Sequence, residues 1–540
     1  MKRLMALVLA AVLMISVFTV SGCGKPKVTL MPGQVEGYLH EWFAEEDPGT
    51  FDFQADTTLA VYSLARALFS TLVRYKTGTL ELEPELLAEM PTVDETKTVY
   101  TFKLRDGVKF HDGTVLKSSD VKYTFERMLD ADGVGASSWL FEPIKGAADM
   151  MDPEKKVKTL AGFEIISDTE FKVTLDKPYA PFLQNLAVPS ASILPEAACK
   201  AAGDKWSLQP IGTGPFVLKE YKPKEIIVLA NNPNYFEGPV SLPGIDYVVV
   251  PDTATGLMQF EKMAIDVAGV AGQDRIRIEG LKDKKGEPMF NVVESIPLNT
   301  YYLILNMNEP VFKNANIRKA IAMGINKQAL IDNVFEGEAA LAKAFVTPGI
   351  PGAYAKGTGP ALDYNPEEAK KLVAESGVKN PKITLWQRGG TAVAEANVAI
   401  QAMMKEIGIE CEVQIVDRPV FAEARGTGKV PANYGNWWAD IPDPDNYLYT
   451  YFSPTNTMSS NYKNKTVQDM LAAGRVETDP AKRAAIYQEA ERIIIAEDFA
   501  IIPILHSTEY YAVQKSITGF TPSATGVIDY RNTSKAKGAK

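Results

Sequence analysis

Segments with the two-residue period of a strand alternate with segments of helical period along this 540-residue chain, and that alternation restricts the fold more than any other feature. Tyr100, Phe102 and Leu104 alternate with Thr101, Lys103 and Arg105, which reads as a half-buried strand leading into tight turns at Asp106-Gly107 and Asp112-Gly113. A helix follows, capped at Ser118-Ser119, with Val121, Phe125, Met128 and Leu129 on one apolar face. The same period predicts a helix from about Asn316, with Ile317, Ile321 and Ile325 along one side, and another from about Ala392 to Ile407. Asp479-Pro480 announces a further helix, an N-cap followed by proline at the first helical position, with Ile486, Ala490, Ile493 and Ile494 facing inward. Ile383 to Leu385 and Glu412 to Val416 read as strands. No repeat of roughly 20 to 50 residues is present, which argues against solenoids and propellers and leaves α/β construction.

Several function classes are disfavoured by composition and by missing motifs. The 57 Lys and Arg against 67 Asp and Glu give a net charge of −10, the wrong sign for a protein that binds nucleic acid through its phosphates. His40, His111 and His506 lie too far apart for a recognisable zinc spacing, so no metal or cofactor is expected. Neither a nucleophile elbow nor a P-loop nor a dinucleotide fingerprint occurs, and the chain is not expected to be an enzyme, although paired carboxylates distant in sequence leave a hydrolase open. His111-Asp112-Gly113 has no nucleophile motif to serve and reads as part of a hairpin.

Lys2 and Arg3 precede an apolar run from Leu4 to Val20, the layout of a secretory signal peptide over residues 1–22. Val20-Ser21-Gly22-Cys23 directly after that run resembles the lipobox of bacterial lipoproteins, in which the cysteine is diacylated and becomes the new N-terminus. The resemblance implies lipidation at Cys23, a short linker over 23–28, and an extracytoplasmic body held at the membrane, since two acyl chains anchor stably where one is marginal. Cys199 and Cys411 remain, as two separate buried thiols or as one disulfide.

Several segments along the body resemble the family 5 extracellular solute-binding proteins of bacterial ABC importers, the oligopeptide, dipeptide and nickel-binding group. The clearest is Tyr100-Thr-Phe-Lys-Leu-Arg-Asp-Gly-Val-Lys-Phe-His-Asp-Gly113, which continues through Ser119-Asp120-Val121 to Arg127. Pro210-Ile-Gly-Thr-Gly-Pro-Phe216, Asn231-Asn-Pro-Asn-Tyr235, Tyr301-Tyr-Leu-Ile-Leu-Asn306, Ile317-Arg-Lys-Ala-Ile321 and Trp438-Ala-Asp-Ile-Pro-Asp-Pro-Asp445 follow in the family's order. By its own chemistry Gly212-Thr213-Gly214-Pro215 is a turn in which glycine permits positive φ. The resemblance implies a two-lobed α/β fold of the periplasmic-binding-protein kind, with hinge crossings near Tyr301 and near Pro503 to Ser507. Lobe I is expected over 29–70, 206–300 and 506–530, with an inserted subdomain over 71–205, lobe II over 301–505 and a polar tail over 531–540.

Between Tyr434 and Phe452, Tyr434, Trp437, Trp438, Tyr447, Tyr449 and Tyr451 interleave with Asp440, Asp443 and Asp445. Rings beside carboxylates suit a cationic, partly apolar ligand, and an aromatic core strand ending in an acidic turn accounts for the same composition. In peptide-binding members the aspartate of the matching stretch receives the peptide's α-ammonium, so the resemblance implies that role for Asp440, with Trp437 in the pocket wall beside Trp438 and Tyr434. Where such members commonly carry tryptophan, this chain has Arg418 in Val416-Asp417-Arg418-Pro419, a candidate clamp for a ligand carboxylate or a solvated rim residue. Other departures, Phe51-Asp52-Phe53, Met263-Ala264-Ile265-Asp266 and Gly324-Ile325-Asn326-Lys327, are structural.

The expected function is a lipid-anchored, monomeric substrate-binding component that captures short peptides by cleft closure and delivers them to ABC permease transmembrane subunits. Within the family the alternative ligands are a nickel chelate, a haem, a sugar or an opine-like conjugate. Outside it the alternatives are an extracellular peptide hydrolase and a signalling receptor.

Overall fold

The computed structural model describes residues 29–536 apart from 44–46, 134, 389–393 and 456–457. The signal segment and Cys23 lie outside the described residues. Among those described, no helix is long and apolar enough to cross a membrane.

Two sheets organise the molecule into two lobes. The first has seven strands in the order Phe290–Ser295, Glu509–Gln514, Val267–Val270, Leu39–Phe43, Gly244–Val249, Ile226–Asn231 and Phe216–Lys222. Leu39–Phe43 at its centre runs parallel to both neighbours, and every other pairing is antiparallel. The second sheet is antiparallel, in the order Ala339–Leu341, Ile501–Ser507, Asn299–Leu305 and Ala432–Trp438. Pro503 faces Tyr302 across this sheet where the register shifts between Tyr301 and Tyr302, since proline has no N–H to give the ladder. The chain passes from the first sheet to the second through residues 296–298 and returns through Thr508 alone.

Most predicted elements stand within a few residues of their sequence positions. Lys382–Arg388 and Glu410–Val416 form a parallel pair joined by the helix Ala394–Glu406. The helix Ala315–Gly324 buries Ile317 and Ile321, and Ile325 is buried at its end. Asp479 caps Pro480–Arg492 by accepting from the Lys482 amide at 2.9 Å, and the helix runs on into a π turn at Ile493–Glu497. Its inward face is Tyr487 and Ala490, with Ile486 only half-buried.

The subdomain inserted in the first lobe is built on a four-stranded antiparallel sheet, Thr92–Val93, Val99–Lys103, Glu170–Thr174 and Phe163–Ile165. Phe102 and Phe171 stack at 4.9 Å across it, and the helix Ser118–Leu129 covers it with Val121, Phe125, Met128 and Leu129. The cap of that helix differs from expectation. Ser118 and Ser119 lie inside it, and the Asp120 carboxylate closes the first turn by accepting from the Lys117 amide at 2.9 Å. Gly107 and Gly113 take φ of +71° and +87°, as tight turns require. Gly212 and Gly214 correct the sequence reading, because neither has positive φ. They are small because the end of helix Leu59–Leu68 lies against them, and an added Cβ would come within 2.1 Å of the Leu68 carbonyl oxygen at Gly212. His111 bridges the same segment, accepting from the Gly212 amide and donating to the Gly214 carbonyl, both at 3.2 Å. Burial holds its pKa down at about 4, against the opposing pull of the Gly214 carbonyl and of Asp112, so the residue is a neutral structural strut. Cys199 and Cys411 are both buried and free.

One buried carboxylate ties the first lobe together. Glu85 takes a two-pronged bond from Arg66 at 2.9 Å on each oxygen, a third contact from Arg531 at 3.2 Å, and the Thr71 amide at 2.9 Å. Burial alone would raise its pKa, but Arg66, Arg531 and Arg74 outweigh burial and hold it below the usual carboxylate range. Arg531 belongs to the expected polar tail, whose described part is ordered: Ser534–Lys535 pairs with Ile517–Thr518, and the Lys535 ammonium reaches Asp266 at 2.6 Å. Glu85→Gln is expected to destabilise the protein by about 3–5 kcal/mol in urea unfolding at neutral pH. Because the folded-state pKa is depressed, the difference from wild type should hold above pH ~4.3 and shrink as the pH falls through the folded value.

Candidate functional site

Sequence dictates how the acidic aromatic segment turns into the cleft. Ala432–Trp438 is the outer strand of the second sheet, paired with Asn299–Leu305 so that Trp438 faces Asn299 and Trp437 faces Thr300. The Ala439 amide makes one last bond to Leu298, and the chain then turns through Ile441-Pro442 into the helix Pro444–Phe452. Asp443 caps this helix, accepting from the Asp445 amide at 2.8 Å, and Pro444 starts it where no amide donor is needed.

Three carboxylates in the segment have different fates. Asp443 is locked in a two-pronged bond with Arg483 at 2.7 and 2.8 Å. Asp445 accepts from Tyr487 at 2.8 Å and Tyr179 at 3.3 Å, with Arg475 at 3.4 Å. Asp440 has no cation beside it among the described residues. Asn446 alone serves it: the Asn446 Oδ1 accepts from the Asp440 amide at 3.1 Å and from Trp437 Nε1 at 3.3 Å, while Nδ2 gives a long 3.4 Å bond to Asp440 Oδ2. Burial raises the Asp440 pKa to about 6, only partly offset by Asn446. Asp440 stands against the inner wall of a cavity, open to the water inside and enclosed by protein on its other sides.

That cavity lies between the lobes and has a volume of about 980 Å³, at the upper end of the range for small-molecule sites. The second lobe supplies Trp437, Trp438 and Asp440, the first supplies Leu59, Tyr62, Tyr75 and the strand end Val293 to Ser295, and the crossing supplies Ile296. Phe520 to Thr525, on the returning chain, close another side. Tyr62 faces Asp440 across the gap, its hydroxyl bonded to Ser190 at 2.7 Å and its pKa raised by burial and then by the Asp440 charge. The Trp438 ring lies against Gly526, whose φ of +80° and missing side chain are both required, since a Cβ there would sit 2.7 Å from the ring. Trp437 meets Tyr451 edge-to-face at 5.4 Å.

The structure therefore brings together Asp440, Trp437 and Trp438. Tyr434 lies in the core of the second lobe and lines a separate chamber of about 50 Å³. Arg418 is exposed at the first position of helix Arg418–Gly426 and lines neither space. The residues sequence reasoning missed are Asn446, six positions past Asp440 and half-hidden in the Pro-Asp-Asn start of a helix, and the first-lobe wall, whose members give no local signal. Among the described residues no cluster of three or more metal-ligating side chains occurs.

An unpaired carboxylate with a raised pKa weakens the empty protein. Asp440→Asn should raise stability in urea by as much as ~3 kcal/mol above pH ~6, with the gain falling away as the pH drops and vanishing below pH ~3.8, where the aspartate becomes neutral in both folded and unfolded states. A gain that is flat across this range would contradict the buried, unpaired setting.

Comparison with known proteins agrees with this architecture. The family model for bacterial extracellular solute-binding proteins, family 5 (middle), matches residues 81–459. The dipeptide-binding protein of Escherichia coli K12 is 28% identical over 517 residues, covering 91% of this chain and 93% of that protein. Heme-binding protein A of Haemophilus influenzae is 27% identical and covers 86% of each. A periplasmic binding protein of Helicobacter pylori, ABC-transporter-associated and solved in complex with the peptide STSA, superimposes with a TM-score of 0.78 at 26% identity, over 93% of this chain and 98% of that one. With a two-lobed α/β fold, a cavity between the lobes and a family match over most of its length, the chain belongs to the bacterial extracellular solute-binding proteins of family 5.

Proposed function

We propose that this protein is the ligand-capturing component of an ABC importer, that it takes short peptides, and that Asp440 receives the peptide's α-ammonium. The observation that carries the reading is Asp440 itself, a carboxylate on the wall of the inter-lobe cavity, oriented by Asn446 and lacking a cationic partner among the described residues. An ammonium seated there supplies the missing charge in a water-poor cleft, and the rings of Trp437 and Trp438 offer apolar surface beside it. Relatives named for dipeptides, and one solved with a bound peptide, support the choice.

Haem or a nickel chelate fits less well. His40 and His506 are buried and bonded to Asp246 at 3.0 Å and Thr300 at 2.9 Å, and His111 is spent on backbone, so none of the three faces the cavity. The protein acts as a binder that returns its ligand unchanged and works as a monomer outside the cytoplasm. Tethering at Cys23 rests on the lipobox-like sequence. Metabolic labelling with a fatty acid should mark the wild type and not Cys23→Ser, and equal labelling of both would overturn the anchor.

Calorimetry with a free and an N-acetylated copy of one peptide tests the ammonium site. Asp440→Ala should cost the free peptide 2–5 kcal/mol, roughly 30- to several-thousand-fold in affinity, and leave the acetylated peptide nearly unaffected. Equal weakening of both, or of neither, removes Asp440 from the site.

A further inference from the structure

The fixed charges around the main cavity can be crossed off against their partners. Arg66 is held by Glu85, Arg74 by Glu83 at 2.7 Å and Glu237 at 2.8 Å, Lys76 by Glu81 at 2.8 Å, and Asp529 by Arg531 at 2.9 Å. Among the described residues that leave a charge unmatched, Asp440 and Glu294 are the carboxylates and Arg425 is the cation. Glu294 is exposed near the crossing, and Asp440 is taken by the ammonium.

Arg425 is exposed as Glu294 is, but it stands where the two spaces meet. It lines the main cavity and, with Met458, also the small chamber, so these two long side chains form the common wall. The chamber is walled by Arg388, Trp386, Phe421, Tyr434 and Asn436 among others, and no carboxylate lines it among the described residues. Arg388 lies over the Phe421 ring at 5.9 Å. Burial, and then the charges of Arg418 and Arg425, hold the Arg388 guanidinium below its ordinary range. Positive charge is thus concentrated at one end of a site whose other end carries a lone negative charge. Like charges grouped in this way are relieved by an anion, and a guanidinium binds carboxylate through two parallel bonds.

Resting on the peptide reading above, we propose that the chamber behind Arg425 is a subsite for an acidic side chain, and that the preferred ligands are short peptides carrying Asp or Glu. The volumes favour a side chain over the chain end. About 50 Å³ beside the 980 Å³ space, with Arg425 and Met458 between the two, suits the tip of one side chain reaching past Arg425, while the backbone keeps the larger space. Arg418, outside both walls, adds to the positive field without touching the ligand.

The test is calorimetry with Ala-Glu against Ala-Gln and Ala-Ala-Glu against Ala-Ala-Gln, each as free acid and as C-terminal amide. Wild type should favour the Glu member of at least one pair by about 10- to 150-fold, in both acid and amide forms. Arg425→Gln should bring that ratio close to one, and Arg418→Gln should lower it by a smaller factor that vanishes in high salt. A ratio near one in wild type, or one that survives Arg425→Gln, overturns the proposal. A preference lost on amidation means that the chamber holds the chain end, and also overturns it. Titration with glutarate alone separates this proposal from the peptide reading, because it needs no ammonium at Asp440. If no peptide binds, millimolar glutarate that binds wild type and not Arg425→Gln sustains the subsite, and glutarate that binds neither sinks it.

Discussion

Glu85 is the contact on which the rest of the first lobe hangs. It joins helix Leu59–Leu68, through Arg66, to the end of the chain, through Arg531, at the threshold of the inserted subdomain. Three distant stretches meet on one carboxylate, each paying entropy to be there, so only a buried and nearly saturated set of bonds holds them. The same set neutralises Arg66 and, together with Arg531, Asp529 on the cavity wall. Apart from Glu294, the charged side chains that the first lobe gives to the cavity wall are thus paired with one another.

In the second lobe the distribution of partners decides function. Asp443 and Asp445 are satisfied by Arg483, Tyr487 and Tyr179, and their work is to hold the helix Pro444–Phe452 in place. Asp440 is left with Asn446 alone among the described residues, and a buried carboxylate so sparsely paired costs the folded protein stability. On the proposed reading, stability and recognition pull against each other at this single side chain.

The fold was legible because its signals are local. The alternation of Tyr100 to Arg105, the stripe from Val121 to Leu129 and the Asp479-Pro480 start each need only a short window, and each stands close to where the pattern puts it. Half of the site was legible for the same reason: Trp437, Trp438 and Asp440 are neighbours in sequence, and the resemblance gives them a role. Tyr62, Tyr75 and the Phe520 to Thr525 stretch come from remote positions, and within its own window each is an ordinary packing residue. Gly212 and Gly214 teach a related point. A glycine demanded by a distant backbone looks in sequence like a glycine demanded by φ, and only the approach of Leu68 tells them apart. Arg418 drew notice by its type, yet the arginine of its helix that reaches the cavity is Arg425, about two helical turns further on.

The crossing at residues 296–298 has one further property. Ile296, half of whose surface is open, lies at the crossing and also lines the cavity. The linker that joins the two sheets is therefore wetted by the same space that the two lobes enclose. On the proposed reading of capture by cleft closure, a molecule resting on Ile296 would bear on the linker's torsions directly, without relaying anything through the lobes, and a bulky one would act as a wedge. Ligand girth near this residue would then set how far the lobes shut, which makes tight binding and full closure separable quantities.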